Sequence, residues 1–235
     1  MKPRINLFST GYYGWEKEKS KFTPLLNDKP FPNNVLVSAA TGSYLRRATN
    51  TQMARKGKEI RNPKTGQIIQ FIQTRADTNG QFLELISTYE AHSKEPVPHY
   101  HPHQDEHFLV LQGELSVRLN GVMQVLQPGD KIHIAKNSIH AMWNSTSDKT
   151  VVSWKTAPAM DTEYFLELST GLASDGKTNE DGIPGILQVA LMMNHYDHVF
   201  RLAKPPFAIQ KIVFGILTPL ARLFGYKPYY QKYID

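Results

Sequence analysis

The chain has 235 residues, of which 40% are hydrophobic and 20% are charged, as in a globular protein with one core and extensions. It has no cysteine, which excludes disulfides, thiolate metal ligands and thiol nucleophiles. The N-terminus lacks a secretory pattern and no apolar run approaches the ~20 residues of a membrane-spanning helix, so we expect a cytoplasmic protein.

Charge is distributed unevenly along the chain. Residues 1–61 carry 12 Lys/Arg and 4 Asp/Glu, residues 62–200 carry 9 and 16, and residues 201–235 carry 6 and 1. The basic ends could contact an anionic partner such as nucleic acid or a lipid surface. We favour the alternative that they lie across the acidic middle of the same chain or of a dimer mate, and we expect no nucleic-acid partner because no recognised motif supports one.

Residues 1–62 form a predicted N-terminal extension. They show little hydrophobic periodicity, and prolines at positions 24, 30 and 32 favour extended backbone. Nothing in this segment indicates chemistry.

Residues 63–158 contain a series of short β-like segments separated by turn signals. The segments are 68–74, 81–89, 108–112, 114–119, 122–126, 131–134 and 150–154. Asn120-Gly121 indicates a type I′ hairpin, and Pro128-Gly129 fits a type II turn. Many short strands joined by tight turns predict an all-β antiparallel sandwich or barrel.

Residues 159–235 form a predicted C-terminal helical extension. One helix is expected to begin near residue 161, and a long apolar helix is expected over residues 186–202, before Pro205-Pro206.

The last predicted helix is amphipathic. Lys211, Thr218 and Arg222 occupy the side opposite its apolar face, which comprises Ile209, Ile212, Val213, Ile216, Leu217, Leu220, Leu223 and Phe224. Such a helix could lie on a membrane. We favour packing on the protein itself or on a dimer mate.

The strongest chemical signal is a cluster of histidines. His99 and His101 are two residues apart, so on a strand they point to the same face. Glu106 follows a bend that can bring its carboxylate to the same point, and His140 must come from another strand. Imidazole and carboxylate together accept divalent iron, manganese, nickel, copper or zinc, so these residues predict a metal site.

The spacing of these residues resembles the two motifs of the cupin superfamily. The first motif is His99-x-His101-x4-Glu106-x6-Gly113, and the second is Gly129-x5-Ala135-x-Asn137-x2-His140-x3-Asn144. The second motif departs from the family at Ala135, where proline is usual, and at Asn137, where glycine is usual. Asparagine tolerates positive φ, so the turn can still form.

The resemblance implies a jelly-roll β-barrel in which His99, His101, Glu106 and His140 bind one metal ion. The C-terminal part, with residues 175–178, Pro205-Pro206 and residues 223–226, resembles the helical tail of a subgroup of uncharacterised bacterial cupins.

Strand alternation with the ligands places Phe108, Val110 and Met142 around an apolar substrate pocket. The other histidines, His92, His103, His107, His133, His195 and His198, are interpreted as structural or surface residues.

Four protein ligands leave positions on an octahedral ion for water, dioxygen or a substrate oxygen, which is a catalytic arrangement. Glu106 could remain bound or detach to act as a base. We therefore predict a dioxygenase-type oxidoreductase for a small oxygen-chelating substrate, in a homodimer. A non-catalytic small-molecule or metal-binding barrel and a cupin isomerase or hydrolase stay open as alternatives. A third alternative is a membrane-peripheral protein that docks on lipid through its last helix.

Overall fold

The computed structural model describes residues 54–234, so most of the predicted N-terminal extension lies outside the described residues. The described strands are β1 (Glu59–Arg61), β2 (Ile68–Gln73), β3 (Leu83–Tyr89), β4 (His99–Tyr100), β5 (Asp105–Gln112), β6 (Leu115–Leu119), β7 (Val122–Leu126), β8 (Lys131–Ile134), β9 (His140–Trp143), β10 (Thr150–Ala157) and β11 (Arg201–Leu202). The helices are α1 (Thr162–Ser174), α2 (Ile186–His195), α3 (Phe207–Leu223) and α4 (Gln231–Ile234).

The strands form two antiparallel sheets that enclose an apolar core. One sheet has the order β1-β2-β3-β10-β5-β8, and the other has the order β11-β4-β9-β6-β7. Alternate residues point inward, as in β3, where Leu83 and Leu85 are fully buried. The arrangement confirms the predicted antiparallel β-barrel followed by helices.

Three turns show why particular residues occupy them. Asn120 and Gly121 both have positive φ, at 49° and 85°, as the predicted type I′ hairpin between β6 and β7 requires. Gly129 has φ of 93° in the Pro-Gly turn. Asn137 has φ of 66°, which confirms that asparagine can replace glycine there. Its backbone N–H donates a hydrogen bond to the carbonyl of His101 at 2.9 Å.

The predicted helix over residues 186–202 is wrong in its C-terminal part. Helix α2 ends at His195, and the chain then turns so that Arg201 and Leu202 pair with Tyr100 and His99 of β4. The reason is tertiary: β4 has backbone groups at its edge that residues 201–202 pair with, whereas a continuing helix would leave that edge unpaired.

Helix α3 packs on the protein by a side other than its predicted apolar face, and packing of that face on a dimer mate stays a prediction. Its buried side carries Gln210, Phe214, Thr218 and Ala221, and it packs against α2. Thr218, expected on the polar side, is buried and donates a hydrogen bond to the carbonyl of Phe214 at 2.7 Å. Most of the predicted apolar face is exposed within the described part of the chain, so it does not pack on the protein itself there. No helix among residues 54–234 is long and apolar enough to cross a membrane.

Candidate metal site

Neighbouring strands bring the four predicted ligands together. His99 in β4 lies opposite His140 at the start of β9, His101 follows β4, and Glu106 lies in β5. One potential ligand nitrogen from each histidine lies within 4.8 Å of the other two. The assignment of these residues as metal ligands stays a prediction, but their convergence is a property of the fold.

Each of the three imidazoles is oriented by a backbone carbonyl. His99 Nδ1 lies 3.2 Å from the carbonyl oxygen of Val97, and His101 Nδ1 lies 2.7 Å from that of Val199. His140 Nδ1 lies 3.0 Å from that of Ser138. Because a carbonyl only accepts, Nδ1 must carry the proton. The Nε2 lone pair of each neutral ring is then available to a cation, as in histidine metal sites.

Glu106 completes a donor set that fits a divalent cation. Its Oε1 accepts a hydrogen bond from Trp154 Nε1 at 3.0 Å, and its Oε2 lies 3.0 Å from His140 Nε2. Neither Glu106 Oε2 nor His101 Nε2 has a hydrogen-bond partner, although both are buried. The lone pairs of Glu106 Oε2 and His140 Nε2 face each other at 3.0 Å, and a cation beside both atoms would stabilise them. Two donors bound to one ion at about 2.1 Å and at right angles stand about 3 Å apart.

The electrostatics of the site favour the same donor set. Burial opposes ionisation of Glu106, but the imidazoles of His101, His140 and His99 together lower its pKa to about 2. Burial lowers the pKa of His99 well below the usual histidine value, with further lowering by His140 and His101. Burial opposes the charged form of His140, yet the carboxylate of Glu106 raises its pKa. The carboxylate thus attracts positive charge to the point where the ligands converge.

A cavity of about 210 Å³ adjoins the cluster. Phe108 and Met142 line it, as expected from strand alternation. Val110 does not: it is fully buried in the barrel core, four residues beyond Glu106 along β5. Alternation gives the face of a strand but not how far along it a cavity extends, and a substrate-pocket role for Phe108, Val110 and Met142 stays a prediction.

Residues that the sequence interpretation missed form much of the cavity wall. Phe200 stacks on His99 with ring centroids 4.5 Å apart, and Phe165 of α1 stacks on Phe200 at 4.8 Å. Trp154 also lines the cavity, and its alternation with Val152 in β10 could have indicated an inward ring. No local signal identifies Phe200, because its position depends on the turn after α2.

The remaining histidines lie away from the cluster. His103 is exposed, and His107 and His133 stack on each other at 4.5 Å on the outer surface of β5 and β8. His198 Nε2 lies 2.9 Å from a carboxylate oxygen of Asp161. His92 and His195 are exposed.

Residues 85–154 match the sequence model of the Cupin domain family. The chain is 27% identical over 162 residues to an oxidoreductase of Arthrobotrys oligospora, a match that covers 63% of each protein. It is 27% identical over 191 residues to "Probable oxidoreductase patJ" of Aspergillus clavatus, covering 74% of this chain and 58% of that protein. The matches therefore span less than two thirds of these relatives' length. Quercetin 2,3-dioxygenase of Bacillus subtilis is 29% identical over 75 residues, covering 32% of this chain and 22% of that enzyme.

Among solved structures, KdgF from Halomonas sp. aligns with 47% of this chain and 96% of its own, at 18% identity and a TM-score of 0.39. An RmlC-like cupin from Shewanella frigidimarina aligns with 47% and 97%, at 19% identity and a TM-score of 0.39. The comparisons do not resolve a subgroup. The match over residues 85–154, together with the two antiparallel sheets, shows that this part of the chain is a cupin domain, which C-terminal helices follow.

Proposed function

We propose that the protein is a metal-dependent oxidoreductase of the dioxygenase type, acting on a small organic substrate that binds through two adjacent oxygens. The observation that carries this proposal is the set of three carbonyl-oriented imidazoles beside the buried carboxylate of Glu106, at the wall of an apolar cavity. Iron, manganese, nickel, copper and zinc all accept these donors. A divalent ion held by His99, His101, Glu106 and His140 would supply Lewis acidity and, if redox-active, a route for electrons.

In a cleaving dioxygenase reaction both atoms of dioxygen enter the product and a carbon–carbon bond of the substrate breaks. The substrate supplies all four electrons that dioxygen takes up, so no external reductant is required. The substrate must lose a proton to become a good chelator and electron donor. Glu106 is the base in this proposal when it detaches from the ion: Trp154 holds Oε1, while Oε2 has no hydrogen bond in the described structure and can then accept that proton.

The cavity wall provides substrate selection. Phe108, Met142, Phe165 and Phe200 offer apolar surface, and the stacked rings of Phe165 and Phe200 present a flat face beside His99. A planar, largely apolar substrate with oxygens at one edge fits this combination. The same wall excludes water from the carboxylate and imidazoles.

The relatives support an oxidative reaction without fixing the substrate. Two are named oxidoreductases and one is a quercetin dioxygenase, but the last match covers only 22% of that enzyme. We therefore propose the reaction class for this chain and leave the choice among diketones, catechols and flavonols to experiment.

The test combines elemental analysis of purified protein with oxygen-uptake measurements on panels of diketones, catechols and flavonols. We expect bound divalent metal and oxygen consumption matched one to one by product containing both oxygen atoms, measured with labelled dioxygen. Bound metal without turnover would favour a non-catalytic binder. Turnover without oxygen uptake would indicate an isomerase or a hydrolase, and either result would overturn the proposed reaction.

A further inference from the structure

Helix α3 leaves an apolar stripe exposed along its length. The stripe comprises Ile209, Ile212, Val213, Ile216, Leu220, Leu223 and Phe224. Its members recur at intervals of three and four residues, so they lie on one side of the helix. Ile212 and Ile216 are 64% and 71% exposed. Contiguous apolar surface of this kind marks an interaction site in a folded protein.

The stripe is distinct from the side by which α3 joins the protein. The buried residues Gln210, Phe214, Thr218 and Ala221 follow a parallel line along the helix and face α2 and the helical core. At about 100° per residue, this line is centred about 135° around the helix from the stripe. The buried side therefore holds α3 on the protein and leaves the stripe uncovered within residues 54–234.

The segment that contains the stripe is basic, although Lys211 of α3 pairs with Asp197 and Lys232 pairs with Asp175. Residues 201–234 contain six Lys/Arg and no Asp/Glu. Lys204 precedes α3 and is exposed, Arg222 lies in its last turn and is exposed, and Lys227 is exposed just beyond its end. Exposed Tyr226 and Tyr229 lie beside Lys227. A binding partner must therefore offer apolar and anionic groups together.

We infer that the apolar stripe docks on an anionic lipid bilayer, with α3 lying in the plane of the interface. A bilayer offers hydrocarbon to the isoleucines and negative headgroups to Lys204 and Lys227, which lie just beyond the two ends of α3. Tyrosine rings suit the headgroup layer because one end is apolar and the other is polar. A second copy fits less well, because a two-fold interface would place one acid-free basic segment against another. This docking does not depend on the reaction at the metal site.

The test uses the full-length protein in flotation assays with vesicles of phosphatidylcholine alone or mixed with phosphatidylglycerol. We expect binding only with phosphatidylglycerol, and weaker binding at high salt. The double variant I212Q/I216Q should bind at least about tenfold more weakly because it removes apolar area from the stripe. The single variant K227Q should lose about fivefold, in keeping with one basic residue at an anionic surface.

The matched control is V122Q/V125Q, which removes two exposed apolar side chains from β7, on the barrel. It should bind vesicles like the wild type, and all variants should keep the wild-type melting temperature because the altered side chains are exposed. Absence of wild-type binding to phosphatidylglycerol vesicles would overturn the inference. So would equal losses in the stripe and control variants. If the wild type ignores vesicles and is a dimer that I212Q/I216Q converts to a monomer, the stripe binds a second copy instead.

Discussion

The barrel and the C-terminal helical region contribute to the same site in different ways. The barrel supplies the ligands through strand register: His99 stands opposite His140, and Glu106 lies on β5 in the other sheet. The helical region supplies no predicted ligand but provides the Val199 carbonyl that orients His101 and the rings of Phe165 and Phe200 that close the cavity. Ligand chemistry therefore belongs to the barrel, whereas ligand orientation and substrate selection are shared with the helices.

The largest effect is expected for loss of a barrel ligand. H140A removes one imidazole and leaves Glu106 Oε2 beside a cavity, so bound metal should fall at least about tenfold, as measured by elemental analysis after dialysis. H107A is the control, because His107 lies on the outer surface against His133. Similar metal content in both variants would refute the assignment of His140.

The next effect tests the helical contribution. F200A removes the ring that stacks on His99 and Phe165, so substrate binding should weaken about tenfold while metal content changes little. The measurement is KM or Kd for the substrate found in the oxygen-uptake panel, together with elemental analysis. F224A, which removes an exposed phenylalanine of the same region, should leave substrate binding unchanged. Unchanged binding in F200A would limit substrate selection to the barrel.

A third prediction concerns the junction between the two regions. Glu167 of α1 is buried and pairs with Lys58 at 2.6 Å, and burial raises the pKa of Glu167 to about 7 despite this partner. The unfolded chain has a glutamate pKa of about 4.3, so the folded state binds this proton more tightly. The resulting stability is fully present below about pH 4 and is lost as the pH rises through about 7.

Denaturant unfolding of the wild type and E167Q should reveal this loss. Between about pH 5 and pH 8, the free energy of unfolding of the wild type should fall relative to that of E167Q by about 2 kcal/mol. E180Q is the control, because Glu180 is 85% exposed in its pair with Lys64. A pH-independent difference between wild type and E167Q would show that Glu167 does not titrate in this range.

The smallest effect is expected at the turn before His140. Asn137 has positive φ and is exposed, so N137G should change the free energy of unfolding by less than about 0.5 kcal/mol, whereas N137A should lower it by about 1 kcal/mol. Thermal or denaturant unfolding measures both. Equal stability of N137A and N137G would contradict a role for backbone conformation at this turn.

Local sequence patterns predicted most of the barrel because its strands and turns are determined by residues that are close together in the sequence. Short β-like segments between turn signals predicted β2, β3 and β6, and the positive φ of Asn120 and Gly121 follows from residues that tolerate it. The convergence of His99, His101, Glu106 and His140 followed from motif spacing, since the fold fixes which strands are neighbours.

The helical contribution could not be predicted in the same way. Apolar periodicity continued past His195 and gave no signal that the chain would turn and pair with β4. The contact between Val199 and His101 joins residues 98 positions apart, and it depends on that turn. On α3, periodicity identified the apolar side but not which side would pack inward.

The hydrogen bond from His101 to Val199 makes ion binding and docking of the helical region reciprocal. An ion bound to His101 Nε2 requires the proton on Nδ1, which favours the hydrogen bond to Val199 and so the packing of residues 196–202 against the barrel. Packing of that segment must in turn favour ion binding by the same free energy. Metal loading should therefore slow amide hydrogen exchange in residues 196–202, far along the chain from the motifs that hold the ion.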